Sequence, residues 1–211
     1  MESQTIQSIA LMLGAGWASG LNLYAAMLVL GWMGASGQVD LPQSLEILSN
    51  PMVMGAAGLM FVVEFFTDKI PGLDSLWDAL HTFIRIPAGA LMAAGAAQGL
   101  DMGAAGELVG LVLGGSLATT SHVSKTSARA LINTSPEPVS NWTASVTEDA
   151  AVIGGLWTAL NYPWLFVLLL AVFILLAIWL LPKVWRLLKA AGTTLSSWLR
   201  KPATTGTPPK T

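Results

Sequence analysis

The sequence predicts an all-α, polytopic membrane protein with about six transmembrane helices. Hydrophobic residues make up 54% of the 211 residues and charged residues only 10%, whereas soluble domains carry about 25% charge. The mean hydropathy is +0.63, and residues 165–181 include no charged or amide side chain. The basic residues, moreover, all fall in the segments that separate the apolar stretches. These three observations exclude a disordered chain and an ordinary soluble domain.

Six apolar stretches are the candidate spans. A hydrocarbon core about 30 Å thick needs about 20 helical residues. The first stretch is too long for one straight helix, so we expect it to tilt or to break at Gly14–Gly16 or Ser19–Gly20. The third and fifth are too short unless they extend into the polar segments before them. The six stretches are residues 6–33, 51–66, 86–99, 102–121, 150–160 and 163–181.

The placement of the basic residues predicts an orientation. If both termini are cytoplasmic, the inner segments are about 67–85, 122–149 and 182–211, and these contain all ten Lys and Arg residues. The positive-inside rule favours this arrangement. We therefore expect a multi-pass protein of the plasma membrane, with both termini cytoplasmic and a transmembrane domain over residues 1–181. Residues 182–211 are expected to form a basic juxtamembrane helix and a disordered tail.

An internal repeat is one interpretation of the middle of the chain. The tetrapeptide Gly-Ala-Ala-Gly begins at residue 55 and again at 103, and Pro87 and Pro136 are 49 residues apart. The repeats would be residues 51–99 and 102–160; coincidence in an Ala- and Gly-rich chain is the alternative. Short or interrupted helices at matching places in two halves often mark the binding site of a transporter.

The polar segment after the second stretch predicts a charged helix face. Asp74, Asp78, His81 and Arg85 are spaced four, three and four residues apart, which places them on one side of a helix. Leu and Trp side chains form the other side. Glu64 and Asp68 precede this helix and are themselves four residues apart.

The polar segment after the fourth stretch predicts a complementary basic face. His122, Lys125, Arg129 and Asn133 share one side of a helix. We expect the two faces to pack together, with Asp74 or Asp78 paired to Lys125 or Arg129, because unpaired charges at a membrane boundary are costly.

Four further polar residues fall at or near membrane depth. Glu64, Glu148 and Asp149 border spans that need extra residues to cross, and Asn22 lies in the middle of the first stretch. Ionisable groups within spans usually face a cavity. We expect the inner ends of the third and fifth helices to be irregular and to surround an inward-facing vestibule. The vestibule residues would be Glu64, Asp68, Arg85, Asn133 and Glu148, with Asn22 above them.

The two polar segments resemble a known family. The stretches VEFFTDKIPGLDSLWDALHTFIRIPAGA and KTSARALINTSPEPVSNW are similar to those of bacterial membrane proteins classified as domain of unknown function 4126. The likeness extends over about residues 6–180. It implies a small polytopic bacterial membrane protein and implies no activity.

The leading functional hypothesis is a transporter or channel for a small polar or charged solute. Glu64 or His81 could carry a coupled proton, and mixed charge suits a zwitterion, or an anion moving with a proton. The candidate pathway residues are Asn22, Glu64, Asp68, Asp74, Asp78, His81, Arg85, Lys125, Arg129, Asn133, Glu148 and Asp149.

Two other functions remain open. A lipid-processing enzyme could hold Mg²⁺ with Asp68, Asp74 and Asp78, although the longer motif of six-helix lipid phosphotransferases is absent. A non-transporting assembly partner or lipid-binding module could use the basic residues Lys183, Arg186 and Lys189 of the C-terminal segment to bind anionic lipid.

Several classes of function receive no support. The chain has no cysteine and a formal net charge of −2, so nothing indicates a thiol nucleophile or a nucleic-acid partner. No catalytic triad, P-loop or dinucleotide motif is present, so an enzyme is not favoured and no cofactor is expected. The expected partners are anionic lipid, a small polar solute or ion, and potentially a second copy of the chain.

Overall fold

The computed structural model describes residues 2–70, 72–134 and 138–199, and every regular element in these ranges is a helix. This confirms the predicted all-α class. Two short 3₁₀ helices, Gln43–Ser49 and Ala97–Leu100, lie in the connections. The long helices are α1 (Glu2–Ala35), α2 (Pro51–Thr67), α3 (Leu73–Ala96), α4 (Gly103–Ile132), α5 (Pro138–Asn161) and α6 (Pro163–Leu199).

Helix α1 is broken at Asn22 and folds back on itself. Asn22 has extended backbone angles, φ −147° and ψ 100°. The first turns and the residues after the helix meet, because Gln4 and Gln38 line the same cavity and Ser8 Oγ donates to Gly99 O over 3.0 Å. A straight helix of 34 residues would be about 51 Å long. Residues 2–21 and 23–35 are therefore two arms of a hairpin whose tip is Asn22.

The fold-back supplies the break that was one of the two alternatives expected for the first stretch. Both ends of α1 lie at the same end of the molecule, together with residues 36–50 and 97–101. The break is also not at the glycines near residues 14–20. A Cβ on Gly16 would lie 2.6 Å from Gly114 Cα, so this glycine lets α1 and α4 approach each other closely.

Helices α3 and α5 are long and continuous, which corrects the expectation of short helices with irregular inner ends. Each has 24 residues and is about 36 Å long. The polar segments at residues 73–85 and 138–149 form the first turns of these helices, because their charged faces are buried within the bundle. Pro87 lies inside α3. The matching Pro136 lies outside the described residues, and the repeat stays a prediction.

The bundle buries its charges and exposes its apolar side chains. On α3, Asp74, Asp78 and Arg85 are at most 1% exposed, whereas Leu80 is 61% and Phe83 is 83% exposed. A water-soluble helix shows the opposite pattern. The exposed faces therefore suit an apolar surrounding such as lipid.

The length and composition of the helices also indicate an apolar surrounding. Two helical segments of the described chain, Gln4–Ala35 and Pro163–Ala190, are long and apolar enough to cross a membrane, and a third candidate is Gln43–Ser49 with Pro51–Thr67, bent by 67°. These features are consistent with a membrane protein. The figure of six crossings stays a prediction, and the fold-back at Asn22 divides the first candidate into two arms.

The molecule has two chemically different ends. The amide end comprises the first turns of α1 and residues 36–50 and 97–102; the charged end comprises residues 64–85 and 122–133. Helix α6 runs on through Pro182 to Leu199, so the expected juxtamembrane helix continues the membrane helix. The expected disordered tail falls largely on residues 200–211, which lie outside the described residues.

Candidate functional site

A buried network of ion pairs occupies the charged end. Arg85 of α3 lies 2.6 Å from Glu64 and 2.7 Å from Asp78. Lys125 of α4 lies 2.9 Å from Asp68 and 3.3 Å from Glu64. These five side chains are at most 2% exposed. The two cations thus tie α2, α3 and α4 together through direct charged contacts.

Arg129 extends the network to α5. Its guanidinium lies 2.7 Å from Glu148 and 3.3 Å from Asp68, and it also donates to the Asp68 backbone carbonyl over 2.7 Å. Lys125 lies 3.5 Å from Glu148. We call the seven residues the ion network: Glu64, Asp68, Asp78, Arg85, Lys125, Arg129 and Glu148.

The tip of α1 enters the same region. Asn22 Nδ2 donates to Asp149 Oδ1 over 2.9 Å, and Asn22 Oδ1 accepts from the Ala25 amide over 2.9 Å. Asn22 therefore caps the second arm of α1 in the manner of a helix N-cap. Lys125 donates to the Leu21 carbonyl over 3.2 Å, so a network cation meets the carboxyl end of the first arm, where positive charge is favourable.

The remaining predicted residues border the network. Asn133 Nδ2 donates to Asp74 over 2.9 Å, so Asp74 pairs with an amide and not with Arg129 or Lys125 as one form of the prediction had it. Lys125 lies 3.6 Å from Asp78, which confirms the predicted contact between the two faces. His81 Nε2 lies 3.1 Å from Tyr24 Oη. All twelve predicted residues are thus gathered at one end; their role as a pathway stays a prediction.

Sequence reasoning missed several supporting side chains. Lys69 donates to the Phe65 carbonyl over 2.8 Å and to Ser145 Oγ over 3.3 Å. Asn141 Nδ2 donates to Asn133 Oδ1 over 3.1 Å. A signal was present, because Asn141, Ser145 and Glu148 are spaced four and three residues apart and so share one face of α5.

The ion network contains one more carboxylate than cation. Its acidic members are Glu64, Asp68, Asp78 and Glu148, against three cations. Three of these carboxylates have one oxygen with no hydrogen-bond partner in the described chain, namely Glu64 Oε2, Asp68 Oδ1 and Asp78 Oδ2. The surplus carboxylate and the free acceptor oxygens make proton uptake chemically reasonable.

Asp68 is the network carboxyl that lies just beyond the end of α2. Burial raises the pKa of Asp68 to about 6, because the loss of hydration outweighs the attraction of Lys125. The nearby Glu64 carboxylate acts in the same direction, and Arg129 opposes it. A single proton on Asp68 would balance the charge of the network.

The network is closed to solvent in this structure, which corrects the expectation of an open vestibule. Glu64 and Arg85 are 0% exposed and the Glu148 side chain is 14% exposed. The reason is that the acidic and basic faces neutralise each other at short range. A cavity of about 360 Å³ between α3 and α4 is lined by residues that include Asp78 and Arg129, so it borders the network.

The geometry does not support the magnesium site considered above. In the part of the chain that the structure describes, no group of three or more acidic or histidine side chains could hold a metal ion. Asp68 and Asp78 face cations, and Asp74 faces Asn133.

Comparison with known proteins identifies the family of the chain. No curated protein and no solved structure gives a significant match to the chain. A family model described as "Domain of unknown function (DUF4126)" matches residues 9–183, which is most of the chain and includes every residue of the ion network. The resemblance noted in the two polar segments is thereby confirmed. The chain belongs to the DUF4126 family.

Proposed function

We propose that this protein is a membrane transporter for a small polar or charged solute whose movement is coupled to a proton. The observation that carries the proposal is the meeting of a broken helix and a buried charged network, through Asn22 with Asp149 and through Leu21 with Lys125. Transporters commonly build their sites at such interrupted helices.

The broken helix supports a binding role because its backbone needs partners. Non-helical backbone persists at membrane depth only where protein or a water-filled cavity surrounds it. Here Lys125 and the Asn22 side chain satisfy the groups at the break. When the site opens, the Lys125 and Asn22 side chains could bind a solute instead, because neither group is part of a helix backbone.

Proton coupling rests on the charge balance. With four carboxylates and three cations the network carries a net negative charge when all members are ionised. A proton on Asp68 removes that surplus and stabilises the closed arrangement. Sequence reasoning placed the proton on Glu64 or His81; we place it on Asp68, because burial raises the pKa of that carboxyl to about 6.

Helix α2 is the element best placed to move. Of its residues only Ala57, Glu64 and Thr67 are buried, and a Cβ on Gly55 would meet nothing within 4 Å. Lipid is as apolar as a helix surface, so apolar contacts alone hold a membrane helix weakly. The charged contacts of Glu64 with Arg85 and Lys125 therefore hold the end of α2 in place, and breaking them would open the network.

The proposed location is the bacterial inner membrane. Lys69, Arg85, Lys125 and Arg129 are buried in or beside the network and give little information on orientation. The exposed basic residues of α6 carry the argument, and by the positive-inside rule they are cytoplasmic, where they would also attract anionic lipid. Because α1 folds back, the N-terminus then faces the periplasm, which revises the earlier assignment.

A non-transporting membrane module is the second candidate. The observation in its favour is the complete burial of Glu64 and Arg85, which would suit a purely structural lock between helices.

Proteoliposomes test the proposal. Uptake of radiolabelled sucrose, alanine, lactate and ethanolamine is measured with and without an imposed pH gradient. We expect a pH gradient to drive accumulation of at least one of these probes above protein-free vesicles. Asp68→Asn should remove the dependence on the gradient, and the exposed Asp101→Asn should keep it.

The same measurement separates the two candidates. Equal uptake in protein-containing and protein-free vesicles for every probe would favour the non-transporting module. Gradient-driven uptake that persists in Asp68→Asn would exclude Asp68 as the coupling residue.

A further inference from the structure

The amide end contains a cavity with a largely polar lining. It has a volume of about 630 Å³ and lies between the first turns of α1, the segment after α1 and the turn after α3. Leu11 and Leu160, which are at most 9% exposed, contribute apolar surface. The volume falls within the range of small-molecule sites.

All the glutamines of the chain line this cavity. The sequence contains five, in three separate regions, and each lies on the cavity wall: Gln4, Gln7, Gln38, Gln43 and Gln98. A scattered set that converges on one cavity is a stronger indication of a site than a polar surface with no common focus.

The cavity is held in shape by its own contacts. The Ser44 amide donates to Gln98 Oε1 over 3.4 Å, and Gln98 Nε2 donates to Glu107 over 3.1 Å. Ser8 fixes the first arm of α1 to Gly99. The fold-back at Asn22 brings Gln4 and Gln7 close to Gln38 and Gln43. The cavity therefore depends on the same hairpin as the ion network does.

The lining indicates the class of ligand. Each glutamine amide offers both a donor and an acceptor, and no Lys or Arg lines the cavity. Asp40 is its single charged residue. No aromatic ring is among the lining residues, so stacking contributes nothing. Side chains that both donate and accept hydrogen bonds suit a ligand with hydroxyl or amide groups. They do not suit an anion, because no cation is present to balance its charge.

We propose that this amide cavity binds an uncharged solute with several hydroxyl or amide groups, and that it is the periplasmic recognition site for the transported molecule. The identification as a binding site stands on the cavity alone; its link to transport rests on the proposed function. In the proposed orientation the cavity opens to the periplasm, at the end opposite the ion network.

Saturation-transfer NMR on the protein in nanodiscs tests the proposal. The probes are sucrose and N-acetylglycinamide, both uncharged, against glutamate and lysine. We expect saturation transfer to at least one uncharged probe and none to the charged pair. The double variant Gln7→Leu, Gln38→Leu should weaken binding at least tenfold. Asn161→Ala removes an exposed amide at the same end but outside the cavity and should bind as the unmodified protein does.

The outcomes separate this site from the transport proposal. Binding that is equal in the double variant, equal for charged probes, or absent for every probe overturns the site. Melting temperatures of the variants show whether each is folded, and the single variant Gln38→Leu replaces the double variant if that one is not. If binding is seen while proteoliposomes show no uptake, the cavity stands and transport fails.

Discussion

The Arg85 guanidinium and the Glu64 carboxylate lie 2.6 Å apart, with both side chains 0% exposed. The contact joins the last turn of α2 to the middle of α3. It brings together two residues that lie 21 positions apart in the sequence. Because Arg85 also binds Asp78, this one cation fixes the position of α2 against the charged face of α3.

Loss of the Glu64 charge should strongly destabilise the fold. Glu64→Gln removes the carboxylate that Arg85 and Lys125 share, and breaking a buried ion pair by removing one member costs about 3–5 kcal/mol. We therefore expect Glu64→Gln to lower the free energy of unfolding by about 3 kcal/mol. Denaturant unfolding followed by tryptophan fluorescence measures this. Glu107→Gln is the matched control because Glu107 is exposed, and it should change stability little. Equal stability of the two variants would mean that the Glu64 contact does not hold α2.

Asp68 should make the folded protein less stable as the pH rises. Its folded-state pKa is raised from 3.8 to about 6, so the folded protein binds a proton that the unfolded chain releases between these values. Stability due to this group is present below pH 4 and is lost as the pH rises through 6. Asp68→Asn, which resembles the protonated form, should then be at least as stable as the unmodified protein at pH 7.

The difference between the Asp68 variant and the unmodified protein should disappear on acidification. Melting temperatures of both proteins at pH 4, 5, 6 and 7 check this. The groups facing Asp68 are Lys125, Arg129 and Glu64, and both proteins retain them, so their own titration cancels in the comparison. A variant that is much less stable at pH 7 would show that Asp68 is ionised and favourably paired.

The close approach of α1 and α4 should be sensitive to a single methyl group. A Cβ on Gly16 would lie 2.6 Å from Gly114 Cα, which is backbone and cannot move aside easily. We expect Gly16→Ala to destabilise the protein by about 1–3 kcal/mol, as overpacking generally does. Gly55→Ala is the control, since nothing lies within 4 Å of its added Cβ. The melting temperature of Gly16→Ala should fall well below that of the control.

Sequence reasoning was most successful where charge followed a helical period. The spacing of Asp78, His81 and Arg85 on one face, and of Lys125 and Arg129 on another, was enough to place them in a common site. Asn22 was also identified, because an amide in the middle of a long apolar stretch is unusual. These predictions depended on local geometry alone, and local geometry is what a sequence specifies most directly.

The fold-back of α1 could not be read from hydropathy. Both arms of the helix, residues 2–21 and 23–35, are rich in apolar residues, so an apolar hairpin and a single long crossing give nearly the same profile. The lengths of α3 and α5 were missed for a related reason. Their polar first turns were expected to join the apolar stretches through irregular backbone, whereas the ion network allows those turns to lie inside the bundle as parts of continuous helices.

The amide cavity was missed because its residues are far apart in the sequence. Gln4, Gln38 and Gln98 share no motif and meet only when α1 folds back and α3 returns to the amide end. No periodicity or spacing links them, and only the tertiary structure shows that they face one space.

The central structural claim is that α1 is a hairpin whose tip meets Lys125 of the ion network through Leu21 and the neighbouring Asp149 through Asn22, and one distance measurement tests it. Spin labels are attached at Gln4 and Gln38 of the protein in nanodiscs. A straight helix of this length would span about 51 Å, and we expect the pulsed-EPR distance to be less than half of that value. A control pair at Gln4 and Lys189 should be long, because it joins opposite ends of the molecule. A distance near the straight-helix value for Gln4 and Gln38 would contradict the hairpin and, with it, the proposed site.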